Sequence, residues 1–207
     1  MIYMIKLLFL ILLLSSCGSL PVAYSDTPLM LYRTAFGYPY EPVTKDYFNS
    51  FKYSFARIRF GKGESFTIVL ASVEDGVYKW ISNDGAKIFT QDGRIIKTVG
   101  LTHDIDITSS LSIANAKEGI FYEVINFSEP KLLNSVQVSK RQLSKEIELT
   151  MAEQQKSTFM IRENISIDKI GWSAENIYYV DSKNQILKSQ QHIHPFLKPI
   201  HLEFYIK

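Results

Sequence analysis

The sequence has little cysteine, little net charge and no long apolar run. Cys17 is the one cysteine among 207 residues, so a disulfide within the chain is excluded. Lysine and arginine number 23 against 21 acidic residues, which gives a formal net charge of +2. Because no basic stripe dominates, nucleic acid is disfavoured as the main partner. The apolar run at residues 7–14 is shorter than the about 20 residues that a membrane-spanning helix needs, so such a helix is the weaker alternative.

The start of the chain has the pattern of a secretory signal. A positive charge at Lys6 precedes the apolar run, and the small residues Ser15 and Ser16 follow it. The segment Leu14-Ser15-Ser16-Cys17 resembles a bacterial lipobox. The resemblance implies cleavage just before Cys17, a diacylated thiol and an acylated new amino group.

The lipobox also predicts how the chain is divided and where it is held. Residues 1–16 are the expected signal peptide, residues 17–26 a lipidated tether and residues 27–207 a single β-rich periplasmic domain. Three acyl chains anchor permanently, since each buried methylene contributes about 0.8 kcal/mol. The residue after Cys17 is Gly18 and not an aspartate. By resemblance to enterobacterial sorting, the absence of aspartate at this position permits transfer of the lipoprotein to the outer membrane.

Residues 53–101 predict a meander of antiparallel strands. Five apolar runs, at 55–60, 65–73, 77–82, 86–90 and 94–99, are separated by turn residues, including three Asp-Gly pairs. Asp-Gly favours tight hairpins because glycine accepts the positive φ that these turns need. Apolar residues on both faces of some strands are typical of a barrel or a sandwich. The fold class is therefore all-β, with barrel and sandwich both open.

The remaining elements follow the same reasoning. Residues 102–117 are polar and predict a long connection. Further strands are predicted at 119–127, 135–138, 146–149, 157–168, 176–180, 185–190 and 200–206. Phe159, Ile161, Ile165 and Ile167 share one face of their strand. Upstream, Thr27-Pro28 and Thr44 predict the starts of two short helices, ending near residues 37 and 51. Their aromatic residues are expected to pack on the sheet rather than form an exposed docking surface; these are Tyr38, Tyr40, Tyr47 and Phe48.

Several segments resemble the YjbF/GfcB family of lipoproteins from bacterial exopolysaccharide and group 4 capsule operons. The most specific are Lys79-Trp80-Ile81-Ser82 and the segment at 93–101, Gly-Arg-Ile-Ile-Lys-Thr-Val-Gly-Leu. Residues 176–181 and 188–191 resemble the family's ending, and the resemblance is weak between 102 and 156. It implies a role in secretion or assembly of an extracellular polysaccharide. The partners that it implies are the other export proteins of such an operon, with polysaccharide itself as a further one.

No group of residues has a convincing catalytic spacing, and no cofactor is expected. His103, Asp104 and Asp106 could bind a metal only if their loop folded around it. His192 and His194 share a face if extended, but a surface pair is the expectation. His201 and Glu203 are candidate ligands or acid/base residues. Paired carboxylates for glycoside hydrolysis would come from Glu146, Glu148 and Glu153, although solvated strand charges explain them equally well.

Three interpretations of function remain at this point. The preferred one is a non-enzymatic lipoprotein that acts through contacts. The second is a barrel that carries a lipid or glycan in a cavity of some hundreds of Å³. The third is an enzyme acting on periplasmic glycan. Inward-facing arginines could form a ligand site in a barrel, but ion pairing or solvation is the expectation for Arg57, Arg59 and Arg94.

Overall fold

The computed structural model describes residues 32, 33, 35–108 and 118–207. The chain divides after Tyr38 into two compact units. In the first unit the described residues from 32 to 36 are helical, and the amide of Gly37 donates to the carbonyl of Arg33 at 2.8 Å. This agrees with the predicted end of the first helix. Its predicted start at Thr27, the signal peptide at 1–16, Cys17 and the tether at 17–26 lie outside the described residues.

One short helix precedes the sheet in the second unit. Helix α1 (Lys45–Ser50) begins after Thr44, whose side-chain oxygen accepts a hydrogen bond from the amide of Tyr47 at 3.1 Å. This is the N-cap that the sequence predicts. Among the described residues, no helix is long and apolar enough to cross a membrane.

The described part of the second unit is dominated by twelve antiparallel strands that close into a barrel. Each strand pairs with its neighbours in sequence, and the last strand pairs with the first. The all-β prediction is confirmed, and closure decides for the barrel over the sandwich. The strands are β1 (Phe55–Phe60), β2 (Ser65–Glu74), β3 (Val77–Ile81), β4 (Lys87–Gln91), β5 (Arg94–Val99), β6 (Ile105–Ile107), β7 (Gly119–Phe127), β8 (Leu132–Met151), β9 (Gln154–Ile167), β10 (Trp172–Asp181), β11 (Ile186–Gln191) and β12 (Ile200–Tyr205).

Turn chemistry explains the first five strands. Asp75 and Gly76 have φ values of 50° and 77°, and Asp92 and Gly93 have 47° and 75°. Two successive positive φ angles are the signature of the tight hairpin turns whose twist matches that of the strands. The predicted strands of this block are therefore found within a residue or so at each end.

Two predictions about the second half are wrong. The expected long connection at 102–117 contains β6, a strand too short to give a clear pattern. The segments at 135–138 and 146–149 are not separate strands, because both belong to the single 20-residue strand β8. Ser139 and Arg141 point into a polar part of the interior. The strand therefore continues through a polar stretch that, in the sequence, resembles the end of one strand and the start of another.

An apolar core occupies a large part of the inside of the barrel. Every strand except β8 contributes a buried side chain to it, from Ile58 and Trp80 to Tyr178 and Leu202, and β8 contributes the partly buried Leu132. A second, outer cluster lies where α1 covers β1, β11 and β12; its buried members are Val43, Phe55, Met151, Leu187 and Tyr205. Met151 reaches this cluster because residues 142–157 of β8 and β9, called the arm below, extend past the end of β7, and their tip at 148–157 extends past β10 as well.

Candidate functional site

Four charged side chains form a closed ion-pair cluster inside the barrel. Arg94 contacts Glu123, and its second terminal nitrogen lies 3.8 Å from Oε1 of Glu163. Nε of Arg141 donates to the same oxygen at 2.9 Å. None of the four side chains is more than 3% exposed. Because two cations meet two anions, the cluster is neutral.

Glu163 is the centre of this cluster. Its Oε2 accepts from the amide nitrogen of Asn176 at 3.1 Å and from the hydroxyl of Tyr178 at 3.0 Å, and Ser139 donates to Oε1. Burial alone would raise the pKa of Glu163, but Arg94 and Arg141 outweigh it and lower the pKa to about 2. Burial, reinforced by the carboxylate, raises the pKa of Tyr178 well above its ordinary value. Both oxygens of the Glu163 carboxylate accept hydrogen bonds from other side chains of the protein, which indicates a structural role.

Arg94 is ion-paired, as expected from the sequence, but it points into the barrel instead of lying on a charged outer face, and the sequence did not single out Glu163. Ile161, Ile165 and Ile167 lie in the core as predicted, but Phe159 is 41% exposed at the barrel's edge. The one sequence signal for Glu163 was its position between Ile161 and Ile165, on the same face of the strand as these apolar residues.

A second polar site lies on the outer face of the barrel. Three neighbouring strands bring Lys188, Glu203 and Arg57 into one row across the sheet. Arg59 and His201 form the next row. With Tyr40 these residues line a groove of about 40 Å³, which is called the outer groove below.

Glu203 organises the outer groove. Its Oε1 accepts from the hydroxyl of Tyr40 at 2.7 Å and from Nζ of Lys188 at 2.6 Å. Its Oε2 accepts from the hydroxyl of Tyr205 at 3.1 Å. Burial and this carboxylate raise the pKa of both tyrosines well above the ordinary value, so both remain donors. The predicted candidates His201 and Glu203 are thus neighbours, but Glu203 is already saturated.

The two arginines of the groove differ from Arg94. Arg57 lies directly opposite Glu203, yet its Nη1 donates to Oγ1 of Thr67 at 3.3 Å. Within the part of the chain that the structure describes, neither Arg57 nor Arg59 has a carboxylate oxygen within 4.0 Å. Both residues are half-buried, and both act electrostatically on the hydroxyl of Tyr40.

The aromatic residues of the N-terminal segment pack as expected where the structure describes their surroundings. Phe48 contacts Phe55 and Tyr205 at ring centroid distances of 6.3 and 6.1 Å. Tyr47 lies 5.9 Å from Phe55, edge to face. Tyr40 instead closes the outer groove by its bond to Glu203. Tyr38 belongs to the first unit, where Arg33 lies 5.0 Å from its ring centroid.

The predicted histidine pair is separated by the fold. His192 bonds through Nδ1 to the carbonyl of Glu175 at 2.9 Å, whereas His194 is 1% exposed. The expectation of a surface pair is therefore wrong for His194, because the chain leaves β11 and folds inward at the end of the barrel. His194 stacks instead on His103, with ring centroids 4.7 Å apart. Burial, and the nearby His103, lower the pKa of His194 to about 4.

The acidic candidates do not converge on a reactive centre. Asp104 caps its own loop by accepting from Oγ1 of Thr98 at 2.8 Å and the amide of Gly100 at 2.9 Å. Asp106 pairs with Lys97 at 2.9 Å. The other three carboxylates, Glu146, Glu148 and Glu153, lie exposed on the arm. Among the described residues no three His, Cys, Asp or Glu side chains are grouped to hold a metal ion.

The interior leaves little room for cargo. A carrier needs a chamber of roughly 300 Å³ or more for a drug-sized ligand. The pocket at the barrel mouth between Trp80 and Ile186 has a volume of about 90 Å³, and a wider, open pocket beside Phe159 and Val180 has about 270 Å³. Behind the pocket at the mouth, the apolar core and the ion-pair cluster occupy the described interior. The carrier hypothesis gains no support from this geometry.

These features first define a class: an antiparallel β-barrel domain with a filled interior and a polar groove on its outer face. The chain belongs to the YjbF family. The family model described as "Group 4 capsule polysaccharide lipoprotein gfcB, YjbF" matches residues 34–205. The prediction from sequence motifs is confirmed.

Individual relatives agree with this assignment. The chain is 23% identical over 195 residues to the uncharacterized lipoprotein YjbF of Escherichia coli strain K12, covering 90% of each protein. It is 36% identical over 59 residues to the uncharacterized lipoprotein GfcB of the same strain, 28% of each. The crystal structure of the hypothetical lipoprotein YmcC from E. coli K12 has the same fold. The TM-score is 0.72 at 20% identity, over 92% of this chain and 98% of that one.

Proposed function

We propose that this protein is an outer-membrane lipoprotein that takes part in secretion or assembly of a capsule or exopolysaccharide, and that it acts by contact rather than catalysis. The family match over residues 34–205 carries the proposal, because the family is described by its link to group 4 capsule polysaccharide. The dispersal of the acidic and histidine candidates supports a non-enzymatic role. Other export proteins are the proposed partners, together with polysaccharide.

Anchoring by lipid at Cys17 is part of the proposal. The signal at residues 1–16 and the tether at 17–26 would place the barrel on the periplasmic side of the outer membrane. The names of the relatives support this, since both curated relatives are named lipoproteins. Labelled palmitate is expected to enter the wild-type protein in cells and not the Cys17→Ser variant. Equal labelling of both would refute lipidation at this residue.

The contact surfaces differ from those expected for an open sheet. Pairing of β1 with β12 removes the edges that a sandwich would offer to a partner. In the described chain, β8 extends past the end of β7, so an edge remains along the arm, residues 142–157. We propose the arm and the outer groove as the surfaces that meet partners.

Deletion of the gene tests the function directly. Surface polysaccharide should fall when the operon is expressed, and a plasmid copy of the wild-type gene should restore it. Crosslinking in intact cells, followed by mass spectrometry, should recover export proteins as neighbours. Unchanged polysaccharide in the deletion strain would refute the proposal.

A further inference from the structure

The outer groove contains positive charge that the protein does not use internally. Lys188 and Glu203 neutralise each other through their 2.6 Å contact. Glu41 at the rim is exposed, and it forms no ion pair with either arginine in the described chain. Arg57 and Arg59 therefore line the groove without a carboxylate partner among the described residues, at positions about 7 Å apart along the backbone of one strand.

Arg57 is held in place by its contacts rather than free to move in solvent. Arg57 donates to Thr67, whose Oγ1 also lies 2.8 Å from the hydroxyl of Tyr47. The guanidinium carbon of Arg57 lies 5.9 Å from the ring centroid of Tyr47. Because the strand and its neighbours fix the stems, less conformational entropy is lost when an anion binds.

Arginine at these positions selects the chemistry of the ligand. The planar guanidinium forms two parallel hydrogen bonds to a carboxylate, a match that an ammonium group cannot make. The groove is small, about 40 Å³, and suits a compact anionic group such as a carboxylate better than a whole sugar ring. The sugar ring would lie over the groove, beside Tyr40, which is 47% exposed.

His201 adds a neutral polar group beside the cations. Burial, followed by the charges of Arg59 and Lys188, lowers the pKa of His201. A neutral imidazole can both accept from and donate to a hydroxyl group. The groove thus combines two anion-binding forks, one hydroxyl-binding group and one aromatic face within two adjacent rows of the sheet.

We propose that the outer groove binds an acidic saccharide, with Arg57 and Arg59 holding the carboxylate of a uronic acid and His201 and Tyr40 contacting its ring. This inference rests on the proposed role with an extracellular polysaccharide. A lipid phosphate would satisfy the same charges. The lining of the groove is polar apart from Ile58 and the ring of Tyr40, which favours a saccharide over the acyl chains of a lipid.

The test is binding of fluorescently labelled trigalacturonic acid to the full-length protein in detergent, with labelled galactotriose as the neutral probe. We expect saturable binding of the acidic trisaccharide only. Arg57→Gln/Arg59→Gln should weaken it by about tenfold or more, because charged hydrogen bonds are lost. Arg57→Lys/Arg59→Lys keeps the charge and should weaken it several-fold.

Arg162→Gln is the matched control. Arg162 is a half-exposed arginine on the outer face of β9, 3.5 Å from Glu175, and its loss should leave the affinity unchanged. Absence of binding, equal binding of galactotriose, or an equal effect of Arg162→Gln would overturn the assignment. Displacement of the trisaccharide by phosphatidylglycerol micelles would also overturn it in favour of lipid. The polysaccharide phenotype of the deletion strain does not depend on the result of this binding assay. The binding proposal and the proposed function can therefore be refuted separately.

Discussion

Removing the carboxylate at the centre of the interior cluster should strongly destabilise the barrel. In Glu163→Gln the buried Arg94 and Arg141 keep their charges while one of their two anions is lost. Breaking a buried pair in this way costs about 3–5 kcal/mol, because a charge stays buried without its partner. The expected result is a lower denaturant midpoint with an unchanged slope.

The pH dependence of the same variant gives an independent check. The pKa of Glu163 falls from an ordinary 4.5 to about 2 in the folded protein. This difference corresponds to about 3 kcal/mol, at about 1.4 kcal/mol per pKa unit. The folded state favours the carboxylate, so this stability is present above pH 4.5 and is lost as the pH falls toward 2. Glu163→Gln should lack this part of the acid sensitivity.

Two further proteins complete the experiment. Glu148→Gln removes an exposed carboxylate on the arm and should change stability by at most about 0.5 kcal/mol. Glu163→Gln/Arg141→Met removes a cation together with the anion and should cost less than the sum of the single changes. A cost below about 1 kcal/mol for Glu163→Gln, or additive single changes, would refute the reasoning.

Three further predictions concern single positions. Thr44→Ala removes the cap of α1 and should cost about 1 kcal/mol in chemical denaturation; no change would show that the cap is dispensable. Gly93→Ala places a methyl group 2.6 Å from Cβ of Ile186 at φ +75°, so its melting temperature should fall further than that of Gly76→Ala, which meets open space at φ +77°. Equal melting temperatures would contradict the clash. The pKa of His194 is about 4 against an ordinary 6.5, so its neutral form stabilises the fold above pH 6.5 and this contribution is lost toward pH 4. His194→Gln should lack that loss between pH 7 and 4.5, and an identical pH profile would count against it.

The sequence predicted those parts of the fold that depend on neighbours along the chain. Asp75-Gly76 and Asp92-Gly93 form tight turns because aspartate and glycine accept the required φ whatever the distant structure is. The cap at Thr44 is equally local. Closure was not predictable, since it depends on β1 meeting β12 in register, and alternating strands are common to barrels and sandwiches.

The interior cluster could not be found for the same reason. Arg94, Glu123, Arg141 and Glu163 come from four strands, and each alone resembles a solvent-facing charge. The groove was found only in fragments. Arg57, Arg59, His201 and Glu203 were separate candidates, and the pairing of the first and last strands joins them. Lys188 enters through a third strand, and no local signal marked it.

The seam between β1 and β12 also governs how the chain can reach its final form. Phe55 pairs with Tyr205, so the first strand lacks one neighbour until the last residues of the chain have been made. Successive hairpins can form as they emerge, but the cylinder is completed by its most distant pair. A chain shortened before Ile200 would present two unpaired strands, β1 and β11, to other copies, and such strands invite aggregation.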